Sequence, residues 1–341
     1  MGKPLKICLV GCGRVSGNHL AGMLEVPEYI DVAAIVSRDP DKAKSFQRKY
    51  SIPGFYPSLE DALKDPCIEA VSLCLPNHLH KDAAVKCARA GKHVLVEKPM
   101  SNSVTECEEM IKAADDAGVT LMVGQSRRFY DAVFKSKEMV DSGKIGKLVS
   151  ITGLLFGYLA GPPTDWWKES QKAGGLMIPI WGSHITDYVL WMFGKCPKRV
   201  YCEAYSNNPG WEGEDEVTLI LGFEDNTFAT IKMSWNTRLR EEDWDGTGKM
   251  LSSSDIIYQR FIQGSEGTLH LNDETCLSMN GRVILEGNRK PGNFALQYTE
   301  FSNAIREKRT PMASGKEIIN VIRVQEAALN SAATHKAVEL Y

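Results

Sequence analysis

The chain has 341 residues, roughly twice a typical domain, which makes two domains the first expectation. Hydrophobic residues make up 43% and charged residues 24%, a composition that excludes a disordered, collagen-like or low-complexity chain. Forty Lys and Arg against 43 Asp and Glu leave a formal net charge of -3, so no basic surplus points to nucleic acid. Nine cysteines, odd in number and without a CxxC pair, fit thiols kept reduced in a cytoplasm. No apolar stretch approaches the roughly 18 to 20 residues of a membrane span, and the run at 5–10 lacks the length and cleavage site of a signal peptide. A soluble, unexported protein is expected.

Residues 1–124 alternate strand and helix. An apolar run at 5–10 leads through a glycine turn into a helix at about 16–24, followed by a strand at 31–36. Further apolar runs at 70–75, 93–96 and 119–123 alternate with helical segments at about 78–90 and 104–117. This order predicts an α/β domain with a doubly wound parallel sheet, covered on both faces. Ser58 and Ser103, each three residues before a carboxylate, are placed to cap helices, and Asn77 to cap a third. Gly91 and Gly118 fall just past helix ends, where a left-handed backbone suits glycine.

From 125 to 341 the strands lose their crossover helices. Runs at 148–156, 200–205, 217–223, 228–235, 256–262 and 268–271, with helices at 181–193 and about 295–308 and 315–334, predict an α+β domain with a large, mostly antiparallel open sheet. The polar stretch at 236–254 exceeds ordinary connections and reads as a flap or a mobile loop. No internal repeat and no Pro-, Gly- or Ser-rich linker separates the two halves.

Gly11-Cys12-Gly13-Arg14-Val15-Ser16 is a GxGxxG-like turn with serine in the third position, set between a predicted strand and helix. Gly11 permits the tight turn, Gly13 lets backbone approach a pyrophosphate, and the helix start offers N–H donors to that anion. A bare structural turn is the alternative; the βαβ setting favours dinucleotide binding. An acid normally accepts the ribose hydroxyls at the end of the second strand, but Ser37 stands there, followed by Arg38 and Asp39. Arg38 can pair with a 2′-phosphate, so NADP is preferred over NAD; the alternative is a solvated Arg38, with Asp39 capping a helix or contacting the ribose of NAD.

With the turn, the segments Pro76-Asn-His-Leu-His80 and Ala90-Gly-Lys-His-Val-Leu-Val-Glu97-Lys98-Pro99 give the chain a resemblance to the Gfo/Idh/MocA oxidoreductase family. The likeness continues through Arg127-Arg128-Phe129, Gly143-Lys-Ile-Gly-Lys147, Gly174-Gly175 and Gly182-Ser-His184. It implies a Rossmann domain, a C-terminal open-sheet domain, an active site between them, and nicotinamide-dependent redox of a sugar, polyol or related compound. It also implies a cofactor site of Gly11, Gly13, Arg14, Val15, Ser37, Arg38, Leu75, Pro76, Asn77, His80, Glu97, Lys98, Pro99 and Gln125. Substrate contacts implied are Lys98, Arg128, Trp167, Trp181 and His184, with Lys98 beside both nicotinamide and substrate and with dimers or tetramers formed through the C-terminal sheet.

Chemistry supplies a reason for Lys98. A carbinol that loses hydride becomes a carbonyl only if the hydroxyl proton also leaves, and burial beside a nicotinamide cation would lower the lysine pKa enough to take it. A cis bond before Pro99 could fix the lysine. The departure is Ile180, where similar sugar-oxidising proteins carry an Asp one helical turn before the histidine. His184 remains as proton acceptor or hydroxyl ligand, and Asp187 could orient it. His78 and His80, two apart on a helix start, make a poor metal pair. Trp166-Trp167, after Pro162-Pro163, and Trp181 could stack on sugar C–H faces or pack in a core; Trp191 and Trp235 read as core, and Lys168 could meet an anionic substrate group. No zinc-like spacing and no Walker loop occur, so no metal is expected.

The leading expectation is an NAD(P)-dependent oxidoreductase acting on a secondary alcohol or carbonyl of a sugar derivative. Two alternatives stand beside it. One is NAD-dependent glycoside cleavage through transient oxidation; the other is a dinucleotide-bound sensor without turnover.

Overall fold

The computed structural model describes residues 2–159, 161, 163–208, 210–238 and 256–340. Most of the polar stretch expected as a flap or loop, 239–254, lies outside the described residues, as does Pro162. The chain forms two compact units, Met1–Phe129 with Arg289–Ile319 and Tyr130–Asn288 with Asn320–Tyr341.

The first unit is a six-stranded parallel sheet of β1 (Leu5–Val10), β2 (Ile30–Val36), β3 (Gly54–Tyr56), β4 (Ala70–Leu73), β5 (His93–Glu97) and β6 (Leu121–Gly124), in the order β3-β2-β1-β4-β5-β6. The helices α1 (Ser16–Leu24), α2 (Pro40–Tyr50), α3 (Leu59–Leu63), α4 (His80–Arg89) and α5 (Val104–Ala117) link these strands. Near-continuous apolar strands result from cover on both faces: five of the six residues of β1 and all four of β4 are buried. Ser58 and Ser103 cap α3 and α5, accepting the backbone N–H of Asp61 at 3.1 Å and of Glu106 at 3.2 Å, each such cap contributing about 1 kcal/mol. Asn77 does not cap α4; it opens a short 3-10 turn, Asn77–Leu79, and α4 starts without a side-chain cap.

The second unit is built on α6 (Asp131–Asp141), β7 (Leu148–Phe156), α7 (Ser170–Ala173), α8 (Met177–Ile180) and α9 (Gly182–Phe193). It continues through β8 (Arg199–Tyr205), β9 (Glu216–Gly222), β10 (Phe228–Ser234), β11 (Ile257–Gly264), β12 (Thr268–Asn272), β13 (Cys276–Met279) and β14 (Arg282–Glu286). With β15 (Val338–Glu339) these strands order as β14-β13-β12-β11-β7-β10-β9-β8-β15, antiparallel except where β10 meets β7. Alternation gives the sheet two unlike faces. Ala229, Ile231 and Met233 of β10 and Val217, Leu219 and Leu221 of β9 are buried, while Phe228 and Ile220 point to solvent at 46% and 41% exposure. Gly153 of β7 lets α9 close onto the buried face; a Cβ there would come within 2.5 Å of Ile185 Cδ1. Arg260 is 1% exposed and held by chemistry rather than solvent, with its guanidinium 3.8 Å from the Tyr258 ring centroid and 5.1 Å from that of Tyr188.

The helix α10 (Asn293–Glu307) returns to the first unit, and the boundary between the two units falls inside α11 (Gly315–Thr334). Strand–helix alternation carries no signal for that return; close packing does. At Gly22 of α1 an added Cβ would lie 2.5 Å from Phe294 Cβ and 2.8 Å from its carbonyl carbon, so backbone meets backbone. Gly22→Ala should therefore destabilise the protein by about 1–3 kcal/mol, the usual cost of overpacking. A denaturant melt with an unchanged midpoint would contradict this contact.

Candidate active site

Because every strand of the first sheet runs the same way, the segments after β1, β2, β4, β5 and β6 all emerge at one edge. Strand order reverses there between β1 and β4, which opens a crevice. Gly11, after β1, has φ +102, and a Cβ on it would collide with the Cys74 carbonyl. Gly13 faces open space, its N–H donating to Ser16 Oγ at 3.0 Å. The start of α1 has no side-chain cap and no acidic residue in its first turn, which leaves orphan N–H groups for an anion. A cleft of about 910 Å³ runs along this edge past Gly11, Gly13, Ser37, Arg38, Lys42, Leu75 and Pro76. Gln125, just after β6, is 1% exposed, and neither atom of its amide has a partner. Buried amides of that kind normally meet a ligand or water. The cradle, the open glycine and the orphaned amide together fit a nicotinamide dinucleotide.

At the end of β2, Ser37 is 9% exposed and its Oγ accepts the Asp39 N–H at 3.2 Å. Asp39 caps α2, its Oδ1 accepting the N–H of Asp41 at 3.0 Å and of Lys42 at 3.1 Å. The cap reading of Asp39 thus holds, and the exposed Arg38 lines the cleft together with Lys42, which the sequence patterns did not single out.

Lys98 follows β5 directly and is half-buried. Burial of its amine lowers the pKa from 10.5 to about 8; Glu97 opposes this, while Arg127 and Arg14 of the glycine turn add to it. The Lys98–Pro99 peptide is cis. Glu97 is 6% exposed and its carboxylate is spent inside the protein: Oε1 lies 2.8 Å from His19 Nε2, and Oε2 accepts the Lys98 N–H at 3.1 Å. Although burial pushes the Glu97 pKa up, His19 brings it below the ordinary carboxylate value. His80 is fully buried, with Nδ1 and Nε2 each 2.9 Å from a carbonyl, of Pro99 and of Leu75. Burial lowers its pKa, so a neutral ring donates to only one of them. Glu97 and His80 thus hold the segments that carry Lys98 and Leu75. Arg128, expected at the substrate, is 2% exposed and pairs with Glu317 at 2.8 Å in the first turn of α11.

In the second unit, α8 ends at Ile180 and α9 starts at Gly182, so Ile180 and His184 do not share one unbroken helix. Ile180 is buried, His184 and Trp181 are partly exposed, and Asp187 is buried one turn on. Trp167 corrects the expectation of sugar stacking: at 5% exposure it lies parallel to Trp235, with centroids 6.0 Å apart and planes at 8°, and it belongs to the core. Trp181 meets the same Trp235 edge-on at 6.3 Å. Trp235 is buried as expected, Trp191 is only half-buried, and Lys168 is paired with Asp165 at 3.0 Å. Glu214, which sequence patterns missed, accepts the N–H of Ile178 at 2.7 Å and of Leu176 at 3.2 Å, anchoring α8 ahead of Trp181 and His184. No group of three or more His, Cys, Asp and Glu able to hold a metal occurs among the described residues.

A family model described as the oxidoreductase family with an NAD-binding Rossmann fold matches residues 5–125, and the GFO/IDH/MocA C-terminal domain model matches 133–270. The chain belongs to the Gfo/Idh/MocA oxidoreductase family. It is an NAD(P)-dependent enzyme of that family. It is 28% identical to the D-xylose 1-dehydrogenase (NADP(+)) 2 of Haloferax volcanii over 97% of this chain and 98% of the relative. To the scyllo-inositol 2-dehydrogenase (NADP(+)) of Bacillus subtilis it is 27% identical, covering 98% of this chain and 96% of the relative. The aldose-aldose oxidoreductase of Caulobacter crescentus, solved with glycerol, shares the fold at TM-score 0.86 and 24% identity, over 99% of this chain and 100% of that one.

Proposed function

We propose that this family member moves hydride between NADP(H) and a secondary alcohol or carbonyl of a sugar or polyol, with Lys98 handling the proton and His184 and Trp181 contacting the substrate. The observation that carries the reading is Lys98: an amine beside the glycine turn, lowered to about pKa 8, is close enough to neutral pH both to accept and to give a proton. When bound, the cofactor supplies or takes the hydride. In the oxidation direction neutral Lys98 accepts the hydroxyl proton; in reduction the Lys98 ammonium returns a proton to the carbonyl oxygen. The partial positive charge at the start of α1 and the open backbone at Gly13 would hold the pyrophosphate, and the Gln125 amide would supply hydrogen bonds to the cofactor.

Preference for NADP rests on the end of β2. The Asp39 Oδ1 is occupied by the cap of α2, leaving the exposed cations Arg38 and Lys42 on the cleft where a 2′-phosphate would add charge. The names of the xylose and inositol relatives, both NADP(+) enzymes, support the cofactor and the polyol class. Nine free cysteines suit a reducing cytoplasm. The exposed apolar side chains Val149, Tyr205, Ile220 and Phe228 on the outer face of the nine-stranded sheet suit pairing with a second copy in a homodimer or tetramer.

Lys98→Met should lower kcat/KM on a responsive sugar by about 10²–10⁴-fold, the usual worth of a general acid–base group, while NADPH affinity by fluorescence titration changes little. Undiminished turnover would sink the assignment. Calorimetry should show NADPH bound at least tenfold more tightly than NADH, the difference disappearing in Arg38→Ala, in line with about 1.5–3 kcal/mol for a hydrogen bond to a charged group; equal affinities in the wild type would oppose the preference. Light scattering should give a multiple of the 37.8 kDa chain, and a monomer at all concentrations would rule out the sheet interface.

A further inference from the structure

Beneath Lys98 lies a hydrogen-bonded chain that the hydride chemistry does not itself require. His19 Nε2 is 2.8 Å from Glu97 Oε1, His19 Nδ1 is 2.7 Å from the Tyr298 hydroxyl, and that hydroxyl is 2.7 Å from Ser72 Oγ. Four elements, α1, α10, β4 and β5, contribute one member each, and His19, Tyr298 and Ser72 are wholly buried. Two arrangements of protons satisfy the chain from end to end: with a neutral ring Ser72 donates to Tyr298, Tyr298 to Nδ1 and Nε2–H to the carboxylate, and with an imidazolium both ring nitrogens donate, to Glu97 and to Tyr298, whose hydroxyl then donates to Ser72. The surroundings favour the imidazolium. Burial works against it, but Cys74, Tyr298 and Glu97 together hold the His19 pKa well above its ordinary value.

The far end of the chain is the lysine itself. Glu97 Oε2 accepts the Lys98 backbone N–H at 3.1 Å, so whatever orients the carboxylate also fixes the backbone from which the Lys98 side chain springs. We propose that His19 is a positioning residue for Lys98, acting through Glu97 to fix that backbone and to cancel the negative charge beside the amine. This rests on the reading of Lys98 as the proton-handling group.

The charged groups around the pair determine the sign of the effect. Lys98 faces Glu97, Arg127 and Arg14; Glu97 faces His19, Lys98 and His80; and His19 faces Cys74 and Tyr298. Without the imidazolium, the buried carboxylate is left with Lys98 as the adjacent cation that can compensate it. The amine then holds its proton to higher pH.

His19→Gln tests this, because its amide can still donate to Glu97 while the charge is gone. The limb of the pH–rate profile for alcohol oxidation that requires a neutral amine should move up by about one pH unit, a roughly tenfold loss of neutral amine at fixed pH, with NADPH affinity within about twofold of wild type. Tyr298→Phe deletes the acceptor of the Nδ1–H while keeping the ring, and should shift the limb the same way by less. Acylation of Lys98 against pH, read by mass spectrometry of its peptide, reports the same shift without turnover. An unmoved or lowered midpoint by acylation in either folded variant overturns the proposal. Were Lys98→Met to keep full activity, the assignment of Lys98 would fail, and the acylation midpoints would still decide the claim about His19.

Discussion

Parallel pairing is the constraint from which the site follows. Six strands that run the same way leave the sheet at the same edge, and the reversal of order between β1 and β4 opens that edge into a crevice. The glycine turn, the Ser37–Asp39 bend, the Cys74–Pro76 segment, Lys98 and Gln125 are each the first residues after a strand, and the first three of these, far apart in the chain, line one cleft. The register also dictates a close fit behind them, because Gly11 must pass the Cys74 carbonyl with no room for a side chain.

Around Lys98 opposing effects meet. Burial and the two guanidinium groups of Arg127 and Arg14 favour the neutral amine, whereas the Glu97 carboxylate favours the ammonium. Burial wins, and the balance falls near pH 8, where an acid–base group is most useful. Glu97 can stay ionised in this setting because His19 faces it at 2.8 Å with its second nitrogen also engaged. A buried ion pair is weak evidence for stability, since desolvation offsets much of its attraction. Its place directly behind Lys98 fits the orienting role proposed for it.

Much of this was legible in the sequence, for identifiable reasons. Strand–helix alternation, the caps at Ser58 and Ser103 and the glycines at 91 and 118 act locally, so five of the six strands of the first sheet could be read; the three-residue edge strand β3 is too short to show a period. The glycine turn came from its spacing and βαβ setting, and Lys98 from the resemblance of Glu97-Lys98-Pro99 to the family. Less legible were the side chains whose surroundings long-range partners decide. Arg128 carries the charge of a substrate ligand, yet Glu317, nearly 190 residues on, claims it. Trp167 has the ring of a sugar platform, yet Trp235 covers its face. His19 and Tyr298 are 279 positions apart and had no pattern to join them. The hairpin of β13 and β14 is a different case, since its Asn280-Gly281 turn, with φ of 50 and 80, is a strong local signal that the periodicity reading passed over.

In the second unit α8 ends at Ile180, a buried apolar side chain, and the helix breaks before His184. The proposed chemistry rests on the Lys98 amine. The most direct test is to titrate that amine: ¹³C reductive methylation of the lysines, with the Lys98 resonance assigned by its loss in Lys98→Arg, followed by NMR across pH. A midpoint near pH 8 is predicted. A midpoint near the ordinary lysine value of about 10.4 would mean that the amine is solvated and fully charged at neutral pH, contradicting its role.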